Sequence, residues 1–194
     1  MKLPRIAAAR PLVVFALTVV SVTAVVLWYI AAGGVAENPT ESMPTGTYLW
    51  VPFMPIERGA IVASCLPEAT EAYARRAHLL GSGPCNGMRQ VVKIVAAVDG
   101  DEVLLRDGAV CINGVAYRNS ARHRVTRSGR AIELVSAGTY HIHDGQVWLM
   151  APAAESWDSR YYGVVPEQLV GKRYVHLGTQ PRLQAEGSCP PPLR

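Results

Sequence analysis

Charge is scarce in this sequence. Asp, Glu, Lys and Arg make up 18% of its 194 residues, against 49% hydrophobic residues. A chain this apolar does not stay disordered, and so little charge implies that part of it meets lipid. Its length suits one sizeable core and excludes a large multidomain machine. Other features are missing too. No segment repeats. None of the zinc-finger, RNP or basic-zipper patterns is present, so no nucleic-acid module can be argued for. No Cys-x-x-C occurs among the four cysteines, which leaves zinc and thioredoxin-like chemistry without support.

The charge that exists is unevenly placed. The formal balance is +4, from 19 basic and 15 acidic residues. Lys2, Arg5 and Arg10 precede the run 11–32, in which the terminal Tyr29 is the one ionisable side chain. At about 1.5 Å per residue, that run crosses a hydrocarbon core of roughly 30 Å as a helix. Trp28 and Tyr29 stand where interfacial aromatics belong. The next basic residue is Arg58, with Glu37 and Glu41 before it. The positive-inside rule therefore puts residues 1–10 in the cytoplasm, makes 11–32 a single anchor and exports the rest. The alternative is a cleaved signal with Gly34-Val35-Ala36 as its processing site, but the run exceeds an ordinary signal core. Without the first 32 residues the balance falls to 16 against 15, or +1. Most of the excess charge is thus a topology signal.

In an exported, oxidising setting four cysteines allow three complete pairings. Cys65 and Cys85 are the expected pair. They flank Pro67–Leu80, which reads as a helix with two acids in its first turn, Arg75, Arg76 and His78 toward its end and Gly81 just past it. Cys111 and Cys189 are left open.

The rest is strand-like. Gly46–Val51, Ala60–Ser64, Gln90–Ala97 and Val147–Met150 are rich in Val, Ile, Tyr and Trp between Gly and Pro. Asn113-Gly114 is expected to join Val110–Ile112 to Val115–Tyr117 as a hairpin, and Asp144-Gly145 to join Tyr140–His143 to Gln146–Leu149. The expected architecture is a mainly β domain over 37–181 with one helical, disulfide-pinned insertion, followed by a loose Pro-rich tail over 182–194.

Ser42 lies in a Pro-bracketed turn soon after the anchor, where a loop can present a hydroxyl. The five histidines offer it no obvious base. Lys93 stands in the apolar run Gln90–Val95; on a strand it shares a face with Val91 and Val95, and such surroundings lower an amine's pKa. A Ser-Lys dyad needs that arrangement, although a lone strand lysine is more often at an edge with its ammonium in water. The basic stretch Arg118, Arg122, His123, Arg124, Arg127 and Arg130 reads as a solvated loop, with contact to lipid headgroups or an acidic protein segment as the lesser reading. His141 and His143 would share a strand face but lack a third ligand.

Taken together, Asn38-Pro39-Thr40-Glu41-Ser42-Met43-Pro44-Thr45-Gly46, Arg58-Gly59-Ala60-Ile61-Val62, Lys93 followed by Gly100-Asp101-Glu102-Val103, and Asp158-Ser159-Arg160-Tyr161-Tyr162-Gly163 with Val165-Pro166 resemble type I signal peptidases in content and order. The opening motif, short anchor and paired cysteines are similar to the TraF-type conjugative-transfer branch of that family. Where general leader peptidases carry Gly-Asp-Asn, this chain has Met150-Ala151-Pro152, which favours that branch. The resemblance implies Ser42 as nucleophile and Lys93 as general base. It implies Thr40 as an oxyanion donor, Ser156 as a hydrogen-bond partner of the lysine amine, and Asp158 as an orienting group paired with Arg160, with a purely structural Asp158–Arg160 ion pair as the alternative. It implies no cofactor and no metal, a bacterial inner-membrane location with the enzyme domain periplasmic, and an exported pilin or other secreted precursor as partner. Conjugative type IV secretion components are further expected partners. The product would be hydrolysed or head-to-tail cyclised. A general leader peptidase and a non-enzymatic anchored component of a secretion channel are the rival readings.

Overall fold

The computed structural model describes residues 9–126 and 129–189, so Lys2, Arg5, Arg127 and the tail from 190 onward lie outside the described residues. Contacts divide the chain into two units, Met1–Ala36 and Glu37–Arg194.

In the first unit, helix α1 (Ala9–Ala31) contains an apolar stretch, Pro11–Ala31, long enough to cross a membrane, with its side chains exposed. Its β-branched residues disfavour helix in water, but in lipid each backbone group must be bonded within the segment. The Thr18 hydroxyl donates to Val14 O at 2.9 Å. Gly33, at φ 70°, ends the helix: its N–H donates to Ile30 O and that of Gly34 to Tyr29 O, the paired bonds of a Schellman motif.

The second unit is mainly β. Its strands are β1 (Val35–Asn38, spanning the join of the units), β2 (Gly46–Trp50), β3 (Ile61–Ser64), β4 (Ser82–Gly83), β5 (Gly87–Met88), β6 (Val91–Ala97) and β7 (Glu102–Leu105). They continue with β8 (Val110–Ile112), β9 (Val115–Tyr117), β10 (Gly138–His141), β11 (Gln146–Met150), β12 (Val165–Pro166), β13 (Val170–His176) and β14 (Ala185–Ser188). One sheet has the order β1-β2-β13-β3-β6-β11-β12, a second the order β10-β7-β8-β9-β14, and β4-β5 forms a short ribbon.

Strand β11 shows how the sheet serves two cores. Trp148 and Met150 pack with Ala96, Val103, Leu105 and Ile112. Val147 and Leu149 pack with Ala60, Val62, Val95 and Val165. A period-2 alternation of apolar residues on both faces marks a strand covered on both sides.

The insertion between β3 and β6 carries helix α2 (Glu68–Arg76), and the Cys65–Cys85 disulfide closes it, with Cα atoms 5.5 Å apart. Closing this 20-residue separation restricts the unfolded chain by about 3 kcal/mol. The helix stops earlier than its sequence suggests. His78 takes the left-handed position at φ 54°, its N–H donating to Arg75 O and that of Leu79 to Ala74 O. The same motif that ends α1 on glycine therefore ends α2 on histidine, three residues before Gly81.

Two further expectations are corrected. Asn113-Gly114 does join β8 to β9, with both residues at positive φ as a type I′ turn requires. Asp144-Gly145 does not close a hairpin. Only Gly145 has positive φ; β10 pairs with β7, while β11 pairs with β6 and β12, so this turn connects two sheets. The segment 182–189 is not loose either. β14 pairs with β9, Leu183 packs against a core, and Cys189 is bonded to Cys111 across 78 residues. That crosslink restricts the unfolded chain by about 4.5 kcal/mol in the same entropy model.

Candidate active site

Lys93 sits on an internal strand. β6 lies between β3 and β11, and Lys93 pairs in register with Val62. An edge lysine could keep its ammonium in water; this one, 4% exposed, cannot. Burial disfavours its charged form, and the nearby Arg160 acts in the same direction. The Asp158 carboxylate opposes both, and the amine settles at about 8 from an ordinary 10.5.

Ser42 comes from the turn between β1 and β2. Met43, 1% exposed, anchors that turn in the core, and the buried Tyr48 donates its hydroxyl proton to Pro44 O at 2.7 Å. These contacts leave Ser42 half-buried, with Lys93 Nζ donating to Ser42 Oγ at 3.5 Å. A shift of about 0.5 Å would bring the pair into the ordinary hydrogen-bond range, and catalytic contacts commonly tighten on binding. Thr40 Oγ1 is 3.2 Å from the same Ser42 oxygen.

The turn depends on Asn38, which sequence reasoning quoted in a motif but assigned no role. Its carboxamide Nδ2 donates to the carbonyls of Thr40 at 3.0 Å, Met43 at 3.0 Å and Pro44 at 3.1 Å. Its Oδ1 accepts from Thr40 N at 3.2 Å and Thr40 Oγ1 at 2.7 Å. The usable signal was Asn before Pro-Thr, since an asparagine side chain readily bonds the backbone two residues on.

Asp158 and Arg160 form a second, fully buried cluster. Asp158 caps helix α3 (Ser159–Tyr162) through Arg160 N at 3.2 Å and accepts from Ala151 N at 3.1 Å. Arg160 grips the carboxylate at both ends, Nε to Oδ1 at 2.7 Å and Nη2 to Oδ2 at 2.8 Å. Its remaining protons reach the carbonyls of Asn119 at 2.6 Å, Ala153 at 3.0 Å, Ala154 at 3.1 Å and Ser156 at 2.9 Å. The pair therefore fastens the loop 153–156. Tyr162 is half-buried beside it, and its phenol is held well above the usual range by burial of the hydroxyl and by the Asp158 charge.

That loop faces the nucleophile. Glu41, Ser42, Ala153, Ala154, Glu155 and Ser156 line a depression of about 380 Å³. Glu155 also borders a more apolar cleft of about 310 Å³ with Leu79, Val125, Ile132, Trp157 and Tyr161 among its walls. The expected Ser156–Lys93 hydrogen bond is not formed: Ser156 Oγ is buried and has no partner among the described residues.

The basic stretch is only partly solvated. The Arg122 side chain is buried, pairs with Asp107 and donates to Val135 O at 2.6 Å, while exposed Arg124 donates to the other Asp107 oxygen at 2.6 Å. His143 lies in the turn beyond β10 and so does not share a strand with His141. Donor atoms of Cys65, Glu71 and Cys85 lie close together, but the disulfide consumes both sulfurs.

A buried amine of lowered basicity beside a held serine hydroxyl is the chemistry of acyl transfer. A family model described as signal peptidase, peptidase S26, matches residues 6–177 of the chain. Plasmid transfer protein TraF of Escherichia coli is 33% identical over 143 residues, which span 70% of this chain and 80% of that protein. Conjugal transfer protein TraF of Agrobacterium fabrum is 32% identical over 140 residues, 70% of this chain and 77% of that protein. Among solved structures, a signal peptidase I from Enterococcus faecalis aligns with a TM-score of 0.35 at 19% identity, covering 62% of this chain and 97% of that one.

Proposed function

Because the chain belongs to the signal peptidase family, we propose that it is a membrane-anchored serine endopeptidase whose Ser42 and Lys93 cleave an exported precursor, a pilin of a conjugative apparatus. The observation that carries this reading is the contact of Lys93 Nζ with Ser42 Oγ at 3.5 Å, made by a buried lysine whose pKa has fallen to about 8. Similarity to transfer proteins supports the conjugative setting. Two disulfides and the apolar helix support an exported domain behind an N-terminal anchor, with residues 1–10 cytoplasmic.

The chemistry follows from the groups present. Neutral Lys93 accepts the Ser42 proton as Oγ attacks the scissile carbonyl. Thr40 and the Ser42 N–H supply hydrogen bonds to the oxyanion. As the C–N bond breaks, Lys93 returns the proton to the leaving amine, and Ser42 carries the acyl group as an ester. Water then releases a linear product, or the precursor's own N-terminal amine attacks the ester and closes a ring. Asp158 and Arg160 hold the facing loop, and the Asp158 carboxylate limits the fall in the lysine's pKa.

Co-expression with a candidate pilin precursor, read by mass spectrometry, tests the proposal. Ser42→Ala and Lys93→Ala should each abolish processing while the chain stays folded. Unchanged processing by either variant would overturn the dyad. Cuts confined to Ala-x-Ala signals, together with rescue of a leader-peptidase-depleted cell, would favour a general leader peptidase.

A further inference from the structure

The nucleophile turn is organised by a side chain that touches none of the reacting atoms. Asn38 sits four residues before Ser42, and its carboxamide reaches backbone on both sides of that serine. Its two Nδ2 protons serve three carbonyls, and its two Oδ1 lone pairs serve the Thr40 N–H and hydroxyl. Turning the amide over would set an oxygen against three carbonyls and an NH2 against an N–H, so the partners fix which end is which.

The consequence lies in the Thr40 hydroxyl. It has a single proton, and the 2.7 Å bond to Asn38 Oδ1 uses it. Toward Ser42 Oγ, 3.2 Å away, Thr40 Oγ1 then has only lone pairs to offer. In that arrangement the Ser42 proton points to Thr40, and Ser42 accepts from the Lys93 ammonium. This is the resting set of bonds, with the lysine charged. Reaction requires the reverse: Ser42 gives its proton to neutral Lys93, and the Thr40 hydroxyl becomes free to donate elsewhere.

We propose that Asn38 is a positioning residue for acylation, holding the Ser42 turn in shape and keeping the Thr40 hydroxyl beside Ser42 Oγ, from where its proton turns from Asn38 Oδ1 to the oxyanion as acylation proceeds. The proposal rests on the reading of Ser42 as nucleophile. Asn38 acts through Thr40 and the turn, and its removal affects the acylation rate rather than the binding of substrate.

The test uses the full chain in detergent and p-nitrophenyl acetate, whose phenolate leaves as the acetyl group passes to Ser42 Oγ. Ser42→Ala supplies the background, and a rate unchanged by it would overturn the nucleophile reading itself. Given that Ser42-dependent signal, Asn38→Ala should lower kcat by about 100-fold, the usual cost of a misplaced reacting group, with KM within about twofold. Asn38→Asp, equal in volume but without the three Nδ2 bonds, should lose at least tenfold, and it decides the matter if the alanine variant does not fold. The readout that separates positioning from general loosening is a double-mutant cycle with Thr40→Val. The Asn38→Ala/Thr40→Val chain should be no slower than its worse single variant, because losing Asn38 already misplaces the hydroxyl that Thr40→Val removes. Rates within threefold of the parent for both Asn38 variants, or losses that multiply with Thr40→Val, would overturn the proposal.

Discussion

Strand β6 and the segment from Ala153 to Arg160 each bury a cation in the same domain, and the two fare in opposite ways. Lys93 is 4% exposed, and its hydrogen bond among the described residues is to one neutral hydroxyl. Arg160 is 0% exposed and spends its guanidinium on a carboxylate and several carbonyls. Burial depresses the lysine toward neutrality, whereas the Asp158 charge and hydrogen bonds overcome burial for the arginine and push its pKa up. The contrast teaches that burial alone does not make a proton acceptor; burial without an ionic partner does. A guanidinium stays charged and fork-shaped, so it serves as a staple, while an amine can give up its proton.

The largest effect should come from breaking the paired side of this contrast. Asp158→Asn leaves Arg160 buried without its anion and should cost about 3–5 kcal/mol in denaturant unfolding. Processing would fall with it, because the loop 153–156 is held by the same guanidinium. A loss below about 1 kcal/mol would mean that the pair is not a structural staple.

Lys93→Met sharpens the unpaired side. The folded chain holds the Lys93 proton less tightly than the unfolded chain, so at neutral pH charging this residue opposes folding. Its contribution to stability therefore rises as pH climbs from about 8 toward 10.5. Lys93→Met should remove that penalty, stabilising the chain at pH 7 by at most about 3 kcal/mol while abolishing cleavage. The gain should vanish near pH 10.5. In the parent chain, kcat/KM should climb nearly tenfold per pH unit below about 8 and level off above it. A flat profile would remove Lys93 from the role of base.

Ser156→Ala is the smallest perturbation. Its buried hydroxyl has no partner among the described residues, so deleting it should change stability by less than about 0.5 kcal/mol, in the stabilising direction if at all. A processing loss above tenfold at unchanged stability would place this hydroxyl on the lysine during turnover.

What was legible in the sequence was local or chemical. The Asn113-Gly114 hairpin was readable because type I′ dihedrals belong to those two residues. Asp144-Gly145 misled because a turn says only that the chain reverses, not which strands become neighbours; β10 joined β7 in the other sheet. The end of α2 misled because a histidine accepted the left-handed position normally left to glycine. The tail's partner was invisible because Cys111 and Cys189 are 78 residues apart and nothing between them marks the pair.

The sequence by itself determined the apolar span, the placement of basic charge before it and the chemical types at 42 and 93, because each depends on composition along a short stretch. Only the tertiary structure decided that Lys93 lies inside a sheet and within reach of a serine 51 residues earlier. It also decided that Arg160 keeps its charge beside an anion while Lys93, without such a partner, is driven toward neutrality. Desolvation and Coulomb interaction act through space, and a chain that has not yet folded has no interior in which to exert them.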